Sequence, residues 1–376
     1  MRYIRITDIT IDGKLKPDGC KFLSSEIGKN YPVRKGDVLL ARSGATVGKA
    51  FIYNEDDDAC YAGYLIKASV QQEKVLPQFF FYFTQTSQYD EWKNRIFIQA
   101  TIQNISAEKY ARMSLCIPPL SEQHSIVSYL DDKCAKIDKM LEGKQKQIEL
   151  LAEMKQRIIA DAVTRGLNPN VKMKATNIPW LPEIPEHWEL RKMKYLFRER
   201  SEKNHPTEPM LSATQTHGVI LQSKYSGRVV VVNTGFEGLK LVKVGDFVIH
   251  LRSFQGGIEF AYDQGIISSA YTILSLNDST QSDYFRYLFK SIPFIDLLKT
   301  CVTGIREGQN INYTKLKQNR IPLPPISEQR AIVSYLDDKA AKIDALTSKL
   351  QQEIESIKEY KQRLISDVVT GQIKVC

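Results

Sequence analysis

Apolar residues return at heptad spacing in two long stretches of the chain. In the first, Leu130, Ile137, Leu151 and Ile158 make one row, with Cys134, Leu141, Ile148 and Ala162 in a second. In the other, Leu336, Ile343, Leu350, Ile357 and Leu364 make one row, with Val333, Ala340, Ile354 and Val368 beside it. A repeat of 3.5 residues predicts long helices with a narrow seam. Pro118-Pro119 and Pro324-Pro325 end whatever precedes each stretch, since proline continues neither a ladder nor a helix. Ser121 and Ser327 read as N-caps, Glu122 and Glu328 sit at the positive end of the dipole, and Gly166 and Gly371 suit the C′ position. Ser121 to Thr164 is about 44 residues, or roughly 65 Å of helix. Two such stripes predict an antiparallel, left-handed coiled coil, with the preceding segments at opposite ends. The competing arrangement, each helix packed on its own domain, is disfavoured by that length. Lys144, Lys155 and Lys361 interrupt the seam, which predicts that the stripe ends against something other than a second straight helix.

The two stretches are near copies. Ser121 to Asp138 returns as Ser327 to Asp344, and only His124/Arg330, Ser125/Ala331 and Cys134/Ala340 differ. Near-identity within one chain implies two equivalent structural units, each followed by the same device. The expected organisation is a globular segment over residues 1–117, a long helix over 118–166, a proline-rich linker over 167–186, a second globular segment over 187–323, and a second long helix with a tail over 324–376. The fold class is α+β, with a pseudo-twofold internal repeat.

Outside the helices the pattern shortens. Tyr3 to Thr10 reads as a strand, Asp12-Gly13 as a turn, and Gly36 to Gly44 as a buried strand ending in a loop. Gly48 to Tyr53 and Tyr61 to Ser69 read as further strands. Pro77 to Arg95 has helical spacing, with Phe79, Phe80, Tyr82, Phe83 and Trp92 on a core face. The linker, with Pro169, Pro179, Pro182 and Pro185, reads as extended and stiff, pinned to a surface by Trp180 and Trp188. The second globular segment repeats the plan. Gly245 to Ser253 matches Gly36 to Ser43 with one residue inserted, and Gln309 to Asn312 matches Gln103 to Ser106. Asp283 to Lys299 supplies the aromatic helix, with Tyr284, Phe285, Tyr287, Leu288 and Phe289. Tyr3 to Thr10 pairs by position with Met210 to Val219, so Trp188 to Pro209 has no counterpart and the first segment reads as shortened at its front.

Composition changes this picture little. The 376 residues, 43% hydrophobic and 25% charged, suit two domains plus connecting helices. No apolar run is long enough to span a bilayer and no signal-peptide pattern opens the chain, which predicts a cytoplasmic protein without a membrane partner. The net charge of +9 favours polyanionic partners, though the basic residues are spread throughout. Cys20, Cys60, Cys116, Cys134, Cys301 and Cys376 lack C-x-x-C spacing and read as reduced thiols, with neither a disulfide framework nor a zinc site.

Catalytic patterns are missing. Gly44 to Ala50 imitates a phosphate-binding loop, but has three residues between its glycines where four are required, and Ala50 where the metal-holding hydroxyl belongs. Asp131-Asp132, repeated at Asp337-Asp338, cannot converge on one metal, because helix neighbours one apart do not face each other; a solvated helix face is expected. The chain reads as catalytically silent.

The paired Pro-Pro-x-Ser-Glu-Gln-x-x-Ile-Val-x-Tyr-Leu-Asp entries, the tails at Lys155 to Ile158 and Lys361 to Ile365, the helix ends at Gly166 and Gly371 and the Ile178-Pro-Trp180 to Trp188 run resemble the specificity (S) subunit of type I restriction-modification enzymes. The resemblance covers essentially the whole chain. It implies a non-catalytic subunit whose two target-recognition domains each bind half of a split double-stranded DNA target. It also implies methyltransferase (modification) subunits docked on the helices and restriction/translocase subunits beyond them. S-adenosylmethionine, ATP and Mg would belong to those partners, leaving no cofactor in this chain. Readers of adjacent major grooves sit about 34 to 36 Å apart, which a helix pair of the expected length accommodates. A coiled-coil scaffold or partial specificity subunit without autonomous DNA reading is the alternative.

Base readers are sought in loops after the shared strands, because Arg forks onto guanine and Asn or Gln onto adenine. Arg42, Ser43, Thr46, Lys49, Gln103 and Asn104 are the candidates in the first segment, and Arg252, Ser253, Gln255, Arg306, Gln309 and Asn310 in the second. Arg42 and Arg252 occur in both, which fits phosphate contact or a structural bond better than base reading. The Gln-Asn pairs also suit caps or turns. The unshared Gln255 and Arg306 are the better sequence readers.

Overall fold

Why each long helix starts where it does is visible in its second turn. The computed structural model describes residues 1–10, 15–16, 18–44, 46–98, 104–227, 235–277, 282–303 and 310–375. The helices run Leu120–Arg165 and Ile326–Val369. Their first carbonyl acceptors are Pro119 and Pro325, bonded by the amides of Gln123 and Gln329. Ser121 and Ser327 therefore lie inside the helices, not at the caps. Buried Gln123 and Gln329 do the closing instead, each donating its side-chain amide at 2.8 Å to the carbonyl of Pro118 or Pro324. A proline at that boundary donates no N–H of its own, so a side-chain donor serves the carbonyl before it.

The chain divides into two compact units. Unit 1 holds Met1–Lys146 with Lys349 to the C-terminus, and unit 2 holds Gln147–Ser348. Each unit thus takes the first part of one long helix and the last part of the other. Within unit 1 Lys361 bonds Asp138 at 2.5 Å and Lys144 bonds Glu353 at 2.5 Å; within unit 2 Lys155 bonds Asp344 at 2.7 Å. These pairings run antiparallel. They also correct the reading of the three lysines, which do not end the seam but answer carboxylates on the facing helix, as charges flanking a coiled-coil core do. Asp138–Lys361 and Asp344–Lys155 are one bond made twice by the repeat. The seam residues Leu130, Leu336, Ile343, Leu350 and Leu364 are buried, and Ile137, Leu151, Ile158 and Ile357 are half-buried.

In unit 1, one sheet has the order Lys21–Phe22, Arg2–Ile4, Ala59–Tyr61, Pro32–Val33, and a second has Ala50–Ile52, Val38–Ala41, Leu65–Ala68. Val38–Ala41 is buried on both faces. The strand expected from Tyr3 stops at Ile4, where a short 3-10 turn, Ile6–Asp8, begins. The aromatic stretch is two helices, Pro77–Phe83 and Ser87–Ile98, broken where Thr84 and Thr86 turn their hydroxyls onto Phe81 and Phe83 carbonyls. Phe79, Phe83 and Tyr89 pack there with Ile126, Leu130, Leu364 and Val368.

Unit 2 repeats this frame and extends it. Phe197–Arg200, Thr272–Leu276, Phe247–Ile249 and Glu259–Phe260 form one sheet in that order. Met210 bridges Ile266 in parallel, as Arg2–Ile4 pairs Ala59–Tyr61 in unit 1, so the positional match of the two fronts holds in the strands. The proline-rich stretch is not an extended linker. Met173–Ile178 and Leu181–Pro185 form an antiparallel hairpin, and Leu181, Ile184 and Trp188 are buried in the same core as Ile159, Val163, Ile332 and Leu336. Thr176 donates its hydroxyl to the Leu181 carbonyl across the turn, and Asn177 takes a left-handed φ of 59°, a conformation asparagine tolerates.

Asp131 and Asp337 lie exposed on the helix surface, as expected, and each also holds partners. Tyr82 donates to Asp131 at 2.6 Å, while Tyr287 and Arg286 reach Asp337 at 2.5 and 2.8 Å, tying each aromatic helix to the long helix beside it. Burial comes first in pushing the Tyr82 and Tyr287 phenols upward. The neighbouring Asp132 and Asp338 make i,i+4 pairs with Lys136 and Lys342.

Candidate nucleic-acid interface

In unit 1 the Val38–Ala41 strand delivers Arg42 and Ser43 to a surface turn. Arg42 is exposed, and its guanidinium has no partner among the described residues. Its amide bonds the Tyr64 carbonyl and its carbonyl accepts from Ile105, while Ser43 bridges Asn104. Arg42, Ser43 and Asn104 are therefore brought together from positions far apart in sequence. The run from Gly44 to Ala50 closes a hairpin, with the Ala41 amide on the Lys49 carbonyl at 2.8 Å and the Gly48 amide on the Ala41 carbonyl at 2.9 Å. A phosphate loop leads from a strand into a helix; this one returns to a strand.

The turn is fixed from behind. Tyr89 donates to the Gly48 carbonyl at 2.7 Å and Tyr110 to the Ala41 carbonyl at 3.2 Å, and Trp92 lies between the two rings. Burial pushes the Tyr110 phenol up to about 12, so it stays a donor at neutral pH. Lys49 borders a cavity of about 510 Å³, rimmed also by Lys93, Lys358 and Lys361. Sequence reading treated Trp92 as packing and passed over Tyr110; only the hydrogen bond across 69 positions shows its role.

In unit 2 Arg252 is again exposed and carries no side-chain partner among the described residues. Ser253 is fully buried, and its hydroxyl accepts from the His250 amide at 2.9 Å. It is a turn-former, which removes it from the candidate DNA contacts. Gln255 stands exposed on the single turn Ser253–Gly256, beside the Asn310–Ile311 strand, on which Asn310 is exposed. A charged cluster missed in the sequence anchors this turn. Lys290 donates to Glu259 at 2.6 Å and to the Gly256 carbonyl at 2.9 Å, Glu259 is fully buried, and His250 lies 3.4 Å from the same carboxylate. Gln103, Arg306 and Gln309 lie outside the described residues. Thr46 contributes its carbonyl to the Lys49 amide at 3.0 Å.

Among the described residues, no cluster of His, Cys, Asp and Glu could hold a metal ion, and no helix is long and apolar enough to cross a membrane. What the site does offer in both units is an exposed arginine just after the matched strand; in unit 1 its turn bridges Asn104, and in unit 2 the turn that follows it lies beside the Asn310–Ile311 strand. Arginine and asparagine are donors suited to phosphate and base edges.

Residues 19–150 and 184–356 match the model of the type I restriction modification DNA specificity domain, and the chain belongs to that family. It is 23% identical over 384 residues to the type I restriction enzyme MjaVIII specificity subunit of Methanocaldococcus jannaschii, covering 92% of this chain and 81% of the relative. Against the EcoKI specificity subunit of Escherichia coli K12 it is 19% identical over 382 residues, covering 96% and 80%. Its fold resembles a chain solved in work on assembly and conformational transition of the type I R-M system, with a TM-score of 0.71, 17% identity and 98% and 90% coverage. It also resembles the HsdS subunit of Thermoanaerobacter tengcongensis, with a TM-score of 0.50, 18% identity and 99% and 90% coverage.

Proposed function

We propose that this chain is the sequence-recognition subunit of a type I restriction-modification complex and performs no chemistry itself. Each unit reads one half of a split duplex target. Arg42 and Arg252 take phosphates, because the same side chain in two readers of different sequences carries no discrimination. Gln255 and Arg306 read bases in unit 2, while Asn104 and Asn310 lie at the edge of the contact. The long helices receive methyltransferase subunits, which bring S-adenosylmethionine, and restriction subunits add ATP-dependent chemistry with Mg. The complex works in the cytoplasm. Unit 1 is proposed as the target-recognition domain of residues 1–117, and unit 2 as that of residues 187–323 together with the hairpin before it.

The observation that carries this reading is the doubled frame that holds one exposed arginine turn in each unit and surrounds it with different neighbours. A common frame with different loops suits two readers of different targets. The test is selection from a random duplex library by this chain with its methyltransferase partner. A two-part consensus is expected; recovery of DNA without any enriched sequence would leave a scaffold as the better description.

A further inference from the structure

In unit 1 the exposed Arg42 has an exposed aromatic neighbour. Val38–Ala41 pairs antiparallel with Leu65–Ala68, which sets Ala41 opposite Leu65. Just beyond that pair the Arg42 amide bonds the Tyr64 carbonyl at 2.9 Å, while the Leu65 amide bonds the Ala62 carbonyl at 2.9 Å. A tight turn therefore fixes the backbone of Tyr64 beside Arg42. Tyr64 is 69% exposed, so its ring meets water and not the core. On the other side of Arg42 lies the bridge from Ser43 to Asn104.

Unit 2 arrives at the same juxtaposition with a different residue. By strand register the counterpart of Tyr64 is Ala270, which carries no ring. Instead Leu251 stands between His250 and Arg252, where unit 1 passes from Ala41 straight to Arg42. Leu251 is 49% exposed. Its backbone is held by three bonds. The His250 amide donates to the Ser253 hydroxyl at 2.9 Å, the Ser253 amide to the His250 carbonyl at 3.1 Å, and the Arg252 amide to His250 Nδ1 at 3.2 Å.

A lone exposed apolar side chain is ordinary on a protein surface. Tyr64 and Leu251 differ from that background in two ways. Each neighbours the arginine that recurs in both units, and the two come from positions that do not correspond. A feature merely inherited with the frame would sit at matching positions; this one keeps its place beside the arginine and changes its chemistry. The arginine draws a polyanion to the turn without telling one sequence from another. A leucine side chain has neither donor nor acceptor, so the base feature it meets favourably in the major groove is the C5-methyl of thymine. The edge of a tyrosine ring offers the same apolar contact.

We infer that Tyr64 and Leu251 are specificity-determining residues, each reading a thymine methyl group in one half of the target. Both roles rest on the DNA reading proposed above and extend it to side chains that neither motif nor charge singled out. Arg42 and Arg252 hold the phosphate backbone, and the apolar neighbour lies against the groove face of a nearby base pair. Burying one methyl group against such a side chain favours thymine over a base without it by about fourfold. Unit 1 and unit 2 then share the means of holding DNA and differ in how the methyl contact is built.

The test uses the full chain with its methyltransferase partner and the duplex it selects from a random library. Thymines of that duplex are replaced one at a time by deoxyuridine, which keeps the base pair and removes only the methyl. In each half one replacement is expected to weaken binding about fourfold. Tyr64→Ala should become indifferent to the replacement in one half and respond normally in the other, and Leu251→Ala should do the converse. Tyr64→Phe keeps the ring and should respond as the unaltered chain does. All three variants should keep the salt slope, because the phosphate contacts remain, and circular dichroism checks that they fold. A selected target in which no replacement weakens binding overturns the inference. So do variants that answer every replacement as the unaltered chain does, or loss of the preference in Tyr64→Phe. Weakened methyltransferase association with the target preference intact overturns it too, by assigning the two side chains to a protein contact. An unaltered chain that selects no sequence removes the DNA reading itself, and this inference with it, which sets that failure apart from the others.

Discussion

Asp37 and Asp246 occupy the same turn in the two units, yet their carboxylates are satisfied differently. Asp37 takes the Ser69 hydroxyl at 2.6 Å and the Arg34 amide at 2.8 Å, with Lys67 at 3.7 Å. Asp246 takes the Lys243 amide at 2.8 Å and the two-pronged guanidinium of Arg200, which arrives on the strand Phe197–Arg200. The arginine turns differ in the same sense. Unit 1 braces its turn with two buried phenols, and unit 2 braces its turn with half-buried Lys290 paired to buried Glu259. The comparison teaches that the repeated frame is set by local hydrogen bonds that any copy can make. What fills the space around the frame is particular to each unit.

The largest effects should come from two anchors of unit 2. Trp188→Ala removes a fully buried ring and is expected to cost about 3–5 kcal/mol. Lys290→Met leaves Glu259 as an uncompensated buried carboxylate and is expected to cost about 3–5 kcal/mol. Hydrogen exchange resolved by unit should show both losses in unit 2, with unit 1 unchanged. A loss shared equally by the two would mean the units do not hold themselves together separately.

DNA binding sharpens the comparison at the next level. Gln255→Ala is expected to relax base preference at one position by about 1–3 kcal/mol. Arg42→Ala and Arg252→Ala should each weaken binding across all sequences and reduce the salt slope by about one. Selection experiments on the variants read these apart, and a changed consensus for Arg42→Ala would make it a base reader. Smaller again is Tyr89→Phe, which removes one neutral hydrogen bond behind the unit 1 turn and should cost about 1 kcal/mol in urea denaturation followed by Trp92.

The smallest contrast is in pH. Burial raises the Asp8 carboxyl, but the Arg5 guanidinium and amide outweigh it and hold Asp8 below its ordinary 3.8. Its contribution to unit 1 is present above 3.8 and is lost as pH falls through the lowered value. At Asp246 burial wins over Lys243 and Arg200, leaving the carboxyl above 3.8, so unit 2 gains from this group as pH falls from the raised value towards 3.8. Acid titration monitored by Trp92 for unit 1 and Trp180 for unit 2 should show opposite slopes from these groups, which Asp8→Asn and Asp246→Asn abolish one at a time.

The duplicated string from Ser121 announced both long helices, because a seam of apolar residues every three or four positions has few other ways to be buried. The separate match of Gly36 to Ser43 with Gly245 to Ser253 announced the strands before Arg42 and Arg252, since a run such as Val38–Ala41 is apolar throughout. The proline-rich stretch misled for a physical reason. Proline signals extended backbone, and extended backbone is also what an edge hairpin needs, so only the burial of Leu181, Ile184 and Trp188 separates the two. The partners of Lys144, Lys155 and Lys361 were equally hidden, because they lie about two hundred positions away along the chain.

By itself, then, the sequence determined the two long helices, the matched strands, their doubling and the family, all of which follow from patterns within one helix or one strand. Which serine is buried, which carboxylate receives an arginine and which cavity stays open were decided only in three dimensions. Those outcomes depend on groups distant in the chain competing for the same few ångströms, and no local pattern records who wins.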